Sequence, residues 1–109
     1  YWNKNTVLDT MMAIKEKYGY IPNSSYIKSN KLYSKDKLFV GFIDATKSMF
    51  GNIVNGYISF YEMCLDKGIP LHEKEIEYLN KIITNKYMNK KSVENLDINR
   101  VKRILQEVA

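Results

Sequence analysis

The chain has 109 residues, 45% of them hydrophobic and 13% aromatic, with a formal net charge of +5 from 17 basic and 12 acidic side chains. This is the size and apolar content of one domain with a modest core, and it argues against disorder over most of the length. No apolar run reaches the ~18–20 residues of a membrane span, and a single cysteine, Cys64, excludes an internal disulfide.

Helical periodicity dominates in chain order. Val7, Leu8, Met11, Met12 and Ile14 share one face of a first helix, which Tyr18-Gly19 can close. Leu38, Phe39, Phe42, Ile43, Ala45, Met49 and Phe50 make a second stripe, with Ser34 as an N-cap and Gly51 as a terminator. A third stripe carries Met63, Cys64 and Leu65 and stops at Gly68-Ile69-Pro70. The fourth holds Ile76, Leu79, Ile82, Ile83 and Tyr87. The fifth holds Val101, Ile104, Leu105 and Val108, capped by Asp97 or Asn99. Three short β-like segments are predicted between helices, at Tyr20-Ile21, Tyr57-Ile58 and Leu96-Asp97-Ile98. The stretch from Asn85 to Asn95 reads as a polar connection.

The basic excess is 15 Lys and only two Arg, Arg100 and Arg103. Overuse of Lys together with Asn, Ile and Tyr is the mark of an AT-rich coding sequence. Recognition surfaces favour the bidentate fork of Arg. Residues 1–51 carry 8 Lys against 4 acids, and residues 52–109 carry 9 basic against 8 acidic residues. The charge is spread out with no concentrated basic stripe, and nucleic acid is not the expected partner. The absence of an initiator methionine and of a leader is that of a trimmed piece of a longer protein, and one free thiol fits a cytoplasmic setting.

Gly19-Tyr20-Ile21 and Gly56-Tyr57-Ile58 each follow an apolar helix, and Leu96-Asp97-Ile98-Asn99-Arg100-Val101 has a related pattern. Each resembles the second half of an EF-hand loop, where a glycine at position 6 makes the turn, an aliphatic at position 8 pairs with a sister loop, and position 12 is a bidentate Glu. Counting back places loops at 14–25, 51–62 and 89–100, so their starts are spaced by 37 and 38 residues, similar to tandem calmodulin-like hands. The stretch from Gly68 to Ile76 resembles the family's link between paired hands. The resemblance implies a single all-α calmodulin-like domain over 1–109, with three degenerate hands and short β pairing between the loops at Tyr57-Ile58 and Leu96. Pro22, at position 9 of the first loop, removes a backbone donor, which suits weak or absent pairing of a hand whose partner would be a missing upstream hand, another chain or nothing.

Positions 1, 3, 5 and 12 supply the carboxylates that calcium needs. The first window offers Ile14, Glu16, Tyr18 and Ser25; the second Gly51, Ile53, Asn55 and Glu62; the third Asn89, Lys91, Val93 and Arg100. Only Asn55 and Glu62 are weak metal candidates, so no calcium or other cofactor is expected. His72 lacks ligating neighbours, Cys64 lacks a base, and no phosphate loop or nucleophile motif occurs, which argues against an enzyme.

With its ligands lost, the resemblance implies a calcium-independent module similar to a myosin light chain, holding an amphipathic helix of a larger protein of myosin or kinase type. Phe42, Met49, Phe50, Met63, Leu65, Ile104 and Leu105 would line the groove, and Glu62, Glu73, Glu75 and Glu77 would meet a basic target. A regulatory calmodulin-like domain of a calcium-dependent protein kinase is the alternative within the fold. A small helical DNA-binding domain is the alternative outside it. Gly19-Tyr20-Ile21-Pro22-Asn23-Ser24 and Phe50-Gly51 resemble a repeat associated with homing endonucleases, although their spacing departs from it and Arg is scarce.

Overall fold

The computed structural model describes residues 2–88 and 98–108. Six α-helices account for most of them: α1 (Lys4–Tyr18), α2 (Ser24–Ser29), α3 (Phe42–Phe50), α4 (Ile53–Asp66), α5 (Glu73–Met88) and α6 (Ile98–Val108). Two single 3₁₀ turns, Leu32–Ser34 and Lys37–Phe39, join α2 to α3. No strand occurs among the described residues.

Local chemistry sets the ends of α1. Asn3 accepts from the Thr6 backbone at 2.9 Å while the Thr6 hydroxyl oxygen accepts from the Asn3 backbone at 2.7 Å, a reciprocal cap that satisfies two orphan donors. Gly19 stops the helix at φ 86°, a left-handed turn that costs glycine little. Asn52 starts α4 by accepting from the Asn55 backbone at 2.7 Å.

The core is one cluster centred on α4, whose Tyr57, Ile58, Phe60, Tyr61 and Cys64 are fully buried. Val7, Met11 and Ile14 reach it from α1, Phe42 and Ala45 from α3, Leu79 and Ile82 from α5, and Val101 and Ile104 from α6. A helix apolar around most of its circumference has to be wrapped by others, and α4 is the strut of the molecule.

Several expectations are corrected here. Tyr57-Ile58 is not a β segment but the second turn of α4, and of the 51–62 window only Gly51 and Asn52 lie outside the helix. Gly56, expected to make a loop turn, is helical. A Cβ there would stand 2.3 Å from Thr46 Cγ2, so the glycine permits α3 and α4 to touch. Tyr20-Ile21 is irregular backbone rather than strand, and the 14–25 window is the end of α1, a short turn and the start of α2. Leu96 and most of the 89–100 window lie outside the described residues, whereas Ile98, Asn99 and Arg100 open α6. Ser34 ends a 3₁₀ turn and does not cap α3, whose N-cap is Gly41. Asn99 lies inside α6 instead of capping it, and Asp97, the other expected cap, lies outside the described residues.

Candidate functional site

The residues expected to line a groove do not share one open face. Phe42 and Ile104 belong to the core, and Met49, Phe50, Met63, Leu65 and Leu105 are half-buried against it. Leu65 and Ile104 meet in a surface cleft between α4 and α6, where Glu62, Asp66, Arg103 and Glu107 surround them. Of the four acids, Glu62 is held by Arg100, whose Nε donates to it at 3.2 Å, and Glu75 is buried. The metal candidates Asn55 and Glu62 sit two turns apart on α4, separated by about 10 Å along the axis. Asn55 spends its backbone N–H on Asn52 Oδ1. His72 is exposed and Cys64 is buried; burial pushes the Cys64 thiol up to about 11.

A different part of the surface is built with more care. Between α1 and α3, residues 24–39 form a lobe made of α2 and the two 3₁₀ turns. Ile27 and Phe39 fasten it to the core, with Leu32 and Leu38 half-buried beneath. Its outer residues are Lys28, Lys31, Lys35 and Lys37, all exposed, with Tyr26 and Tyr33 each about half exposed at 47% and 48%.

The lobe is oriented from both ends. At its entrance, the Tyr57 hydroxyl donates to the Pro22 carbonyl at 2.7 Å from inside the core, and burial holds that phenol well above the usual tyrosine range. The buried Glu75 carboxylate accepts from the Ile21 backbone at 3.1 Å, the His72 backbone at 2.7 Å and the Lys15 ammonium at 2.5 Å. One carboxylate thereby ties α1, the turn before α2 and the start of α5. Asn23 then caps α2, accepting from the Tyr26 backbone at 2.9 Å.

At the far end, Asp36 accepts from Lys17 Nζ and from the Tyr18 hydroxyl, both at 2.6 Å, and from the Leu38 backbone at 3.0 Å. These donors, Lys17 first, hold its carboxyl at about 2. Asp36 is the only acid within residues 24–39, and it is spent on fastening the lobe to α1. No ion pair among the described residues involves Lys28, Lys31, Lys35 or Lys37. Within residues 24–39, four exposed ammonium groups stand against a single carboxylate, which is already engaged by Lys17 and Tyr18.

Lys31 adds a constraint. It is the one non-glycine described in a left-handed conformation, at φ 50°. That backbone costs an L-residue roughly 1 kcal/mol.

The chain matches no family model, no curated protein and no solved structure.

Proposed function

We propose that the chain is a non-catalytic helical DNA-binding module that grips the phosphate backbone through the 24–39 lobe. The observation carrying this reading is the exposed set Lys28, Lys31, Lys35 and Lys37 around an aspartate already consumed by Lys17 and Tyr18. Ammonium groups on long stems neutralise phosphates as point charges, without the fork that reads guanine edges. The module therefore binds duplex DNA with little sequence preference.

The test is a salt titration of duplex binding by fluorescence anisotropy. Four neutralised phosphates give a log–log slope of about −3 to −4, and replacing all four lysines with alanine flattens it. Absence of binding at low salt, or a slope that ignores the four substitutions, refutes the reading.

A second reading keeps the helix-holding role at the α4–α6 cleft. Leu65 and Ile104 lie there beside Asp66, Glu107, Arg103 and a Glu62 held by Arg100, and Asp66 and Glu107, in no ion pair among the described residues, suit a basic amphipathic helix. Calorimetry with such a peptide distinguishes the two, since Leu65→Ala weakens peptide binding only if this cleft is used.

A further inference from the structure

A second cleft adjoins the lobe, between the turn at 20–23 and α5, and its chemistry differs from that of the lysine face. Tyr20, Tyr26 and Tyr78 line it together with Lys74, Glu77 and Lys81. The four α5 residues follow the spacing i, i+3, i+4 and i+7, so they share one face of the helix. Tyr78 is a fixed wall, its ring 5.3 Å from that of buried Tyr57 and 6.4 Å from that of Tyr61. Tyr20 is held by its ring stacking on His72 at 4.9 Å and 29°. Tyr26 stands at the rim, half exposed, where the cleft runs into α2 and the lysine lobe.

We propose that this cleft receives one unpaired base of a DNA strand, stacked on the tyrosines with its flanking phosphates on Lys74 and Lys81, and that Glu77 favours guanine. The proposal rests on the DNA-binding reading and deepens it, by giving the same surface a place for a base that has left the duplex. Aromatic faces accept any base, which supplies affinity without sequence. Lys74 and Lys81 are about 10 Å apart along α5, bracketing the position of a single base. The Glu77 carboxylate has two acceptor oxygens. Guanine alone presents two adjacent N–H donors, N1–H and the 2-amino group, on its pairing edge, while adenine, cytosine and thymine each present one.

The experiment uses the whole chain and labelled oligothymidylate strands carrying a central guanine, adenine, cytosine or thymine, beside a fully paired duplex. Tyr26→Ala is expected to weaken strand binding about tenfold while Tyr26→Phe retains it. Glu77→Gln is expected to level the guanine strand with the others. Both side chains are at the surface, and circular dichroism verifies that the variants fold. Strand affinity indifferent to Tyr26→Ala, with duplex binding still sensitive to Lys31→Ala and Lys35→Ala, overturns the cleft and leaves the lobe standing. A base preference that survives Glu77→Gln overturns the role of Glu77. Failure of duplex and strands alike to bind overturns both readings.

Discussion

The Lys15 ammonium and the Glu75 carboxylate meet at 2.5 Å inside the protein, with side-chain exposures of 9% and 0%. They lie 60 residues apart in sequence and join the last turns of α1 to the first turn of α5. Removing one partner leaves a charge without its counterion in a low-dielectric setting, which typically costs about 3–5 kcal/mol. Lys15→Met alone is therefore expected to destabilise the fold by about 3 kcal/mol in urea unfolding. Adding Glu75→Gln to Lys15→Met is expected to recover more than half of that loss, because a neutral amide oxygen can still accept from the Ile21 or His72 backbone. Additive losses in the double variant would show that the two side chains act separately.

Asp36 sets the pH response of the lobe. Its folded value of about 2 lies below that of a free carboxylate, so its contribution is complete above pH ~4 and is lost as the pH falls toward 2. At the alkaline end, Lys17 and Tyr18 are both raised by the same aspartate. Their contribution is complete below the free-residue values near 10 and fades as each proton leaves. A carboxyl titration followed by NMR should find the Asp36 midpoint near 2, and Asp36→Asn should lower the Tyr18 midpoint toward that of free tyrosine. An Asp36 midpoint near 4 would mean that the clamp does not form in solution.

Gly56→Ala tests the contact between α3 and α4. The added methyl meets Thr46 Cγ2 at 2.3 Å and Phe50 at 3.4 Å. Thr46 cannot turn aside cheaply, since it is buried and its hydroxyl donates to the Phe42 carbonyl at 2.8 Å. Overpacking of about 1–3 kcal/mol opposes a gain of about 1 kcal/mol in helix propensity. Net destabilisation is expected by thermal unfolding, with partial rescue by Thr46→Ser. An unchanged or raised melting temperature would mean that the helices separate more easily than the packing implies.

At position 31 the usual ranking of glycine and alanine should invert. The left-handed backbone at φ 50° penalises a Cβ, so Lys31→Gly is expected to be more stable than Lys31→Ala by about 1 kcal/mol. Both variants lose the ammonium group, and the DNA salt slope should fall in magnitude by about 1 in each. Matching slopes with different stabilities would separate the side chain's charge from its backbone strain.

The helices were legible where amphipathic stripes and caps agree, as in α1 with Gly19, whereas α5 continues to Met88, into the stretch from Asn85 that reads as a polar connection. The error at 51–62 arose because Gly56-Tyr57-Ile58 has a turn-like composition, while its glycine answers to Thr46 on a neighbouring helix, a contact invisible in one dimension. Phe42, Phe50 and Met63 announced apolar faces, but whether such a face is core or groove depends on which helices cover it. The lysine lobe did carry a signal: residues 24–37 hold four Lys and one Asp. Counting charge over half the chain diluted it, and the commitment of Asp36 to Lys17 and Tyr18 requires a fold that brings residues 17–18 beside 36.

The most direct measurement is an NMR titration of the isotopically labelled chain with a short DNA duplex, mapping the shifted amides onto the helices. The account predicts a footprint over residues 24–39, centred on Lys28, Lys31, Tyr33 and Lys35, that fades with added salt. Shifts gathered around Leu65 and Ile104 at the α4–α6 cleft, or none at any salt concentration, would contradict it.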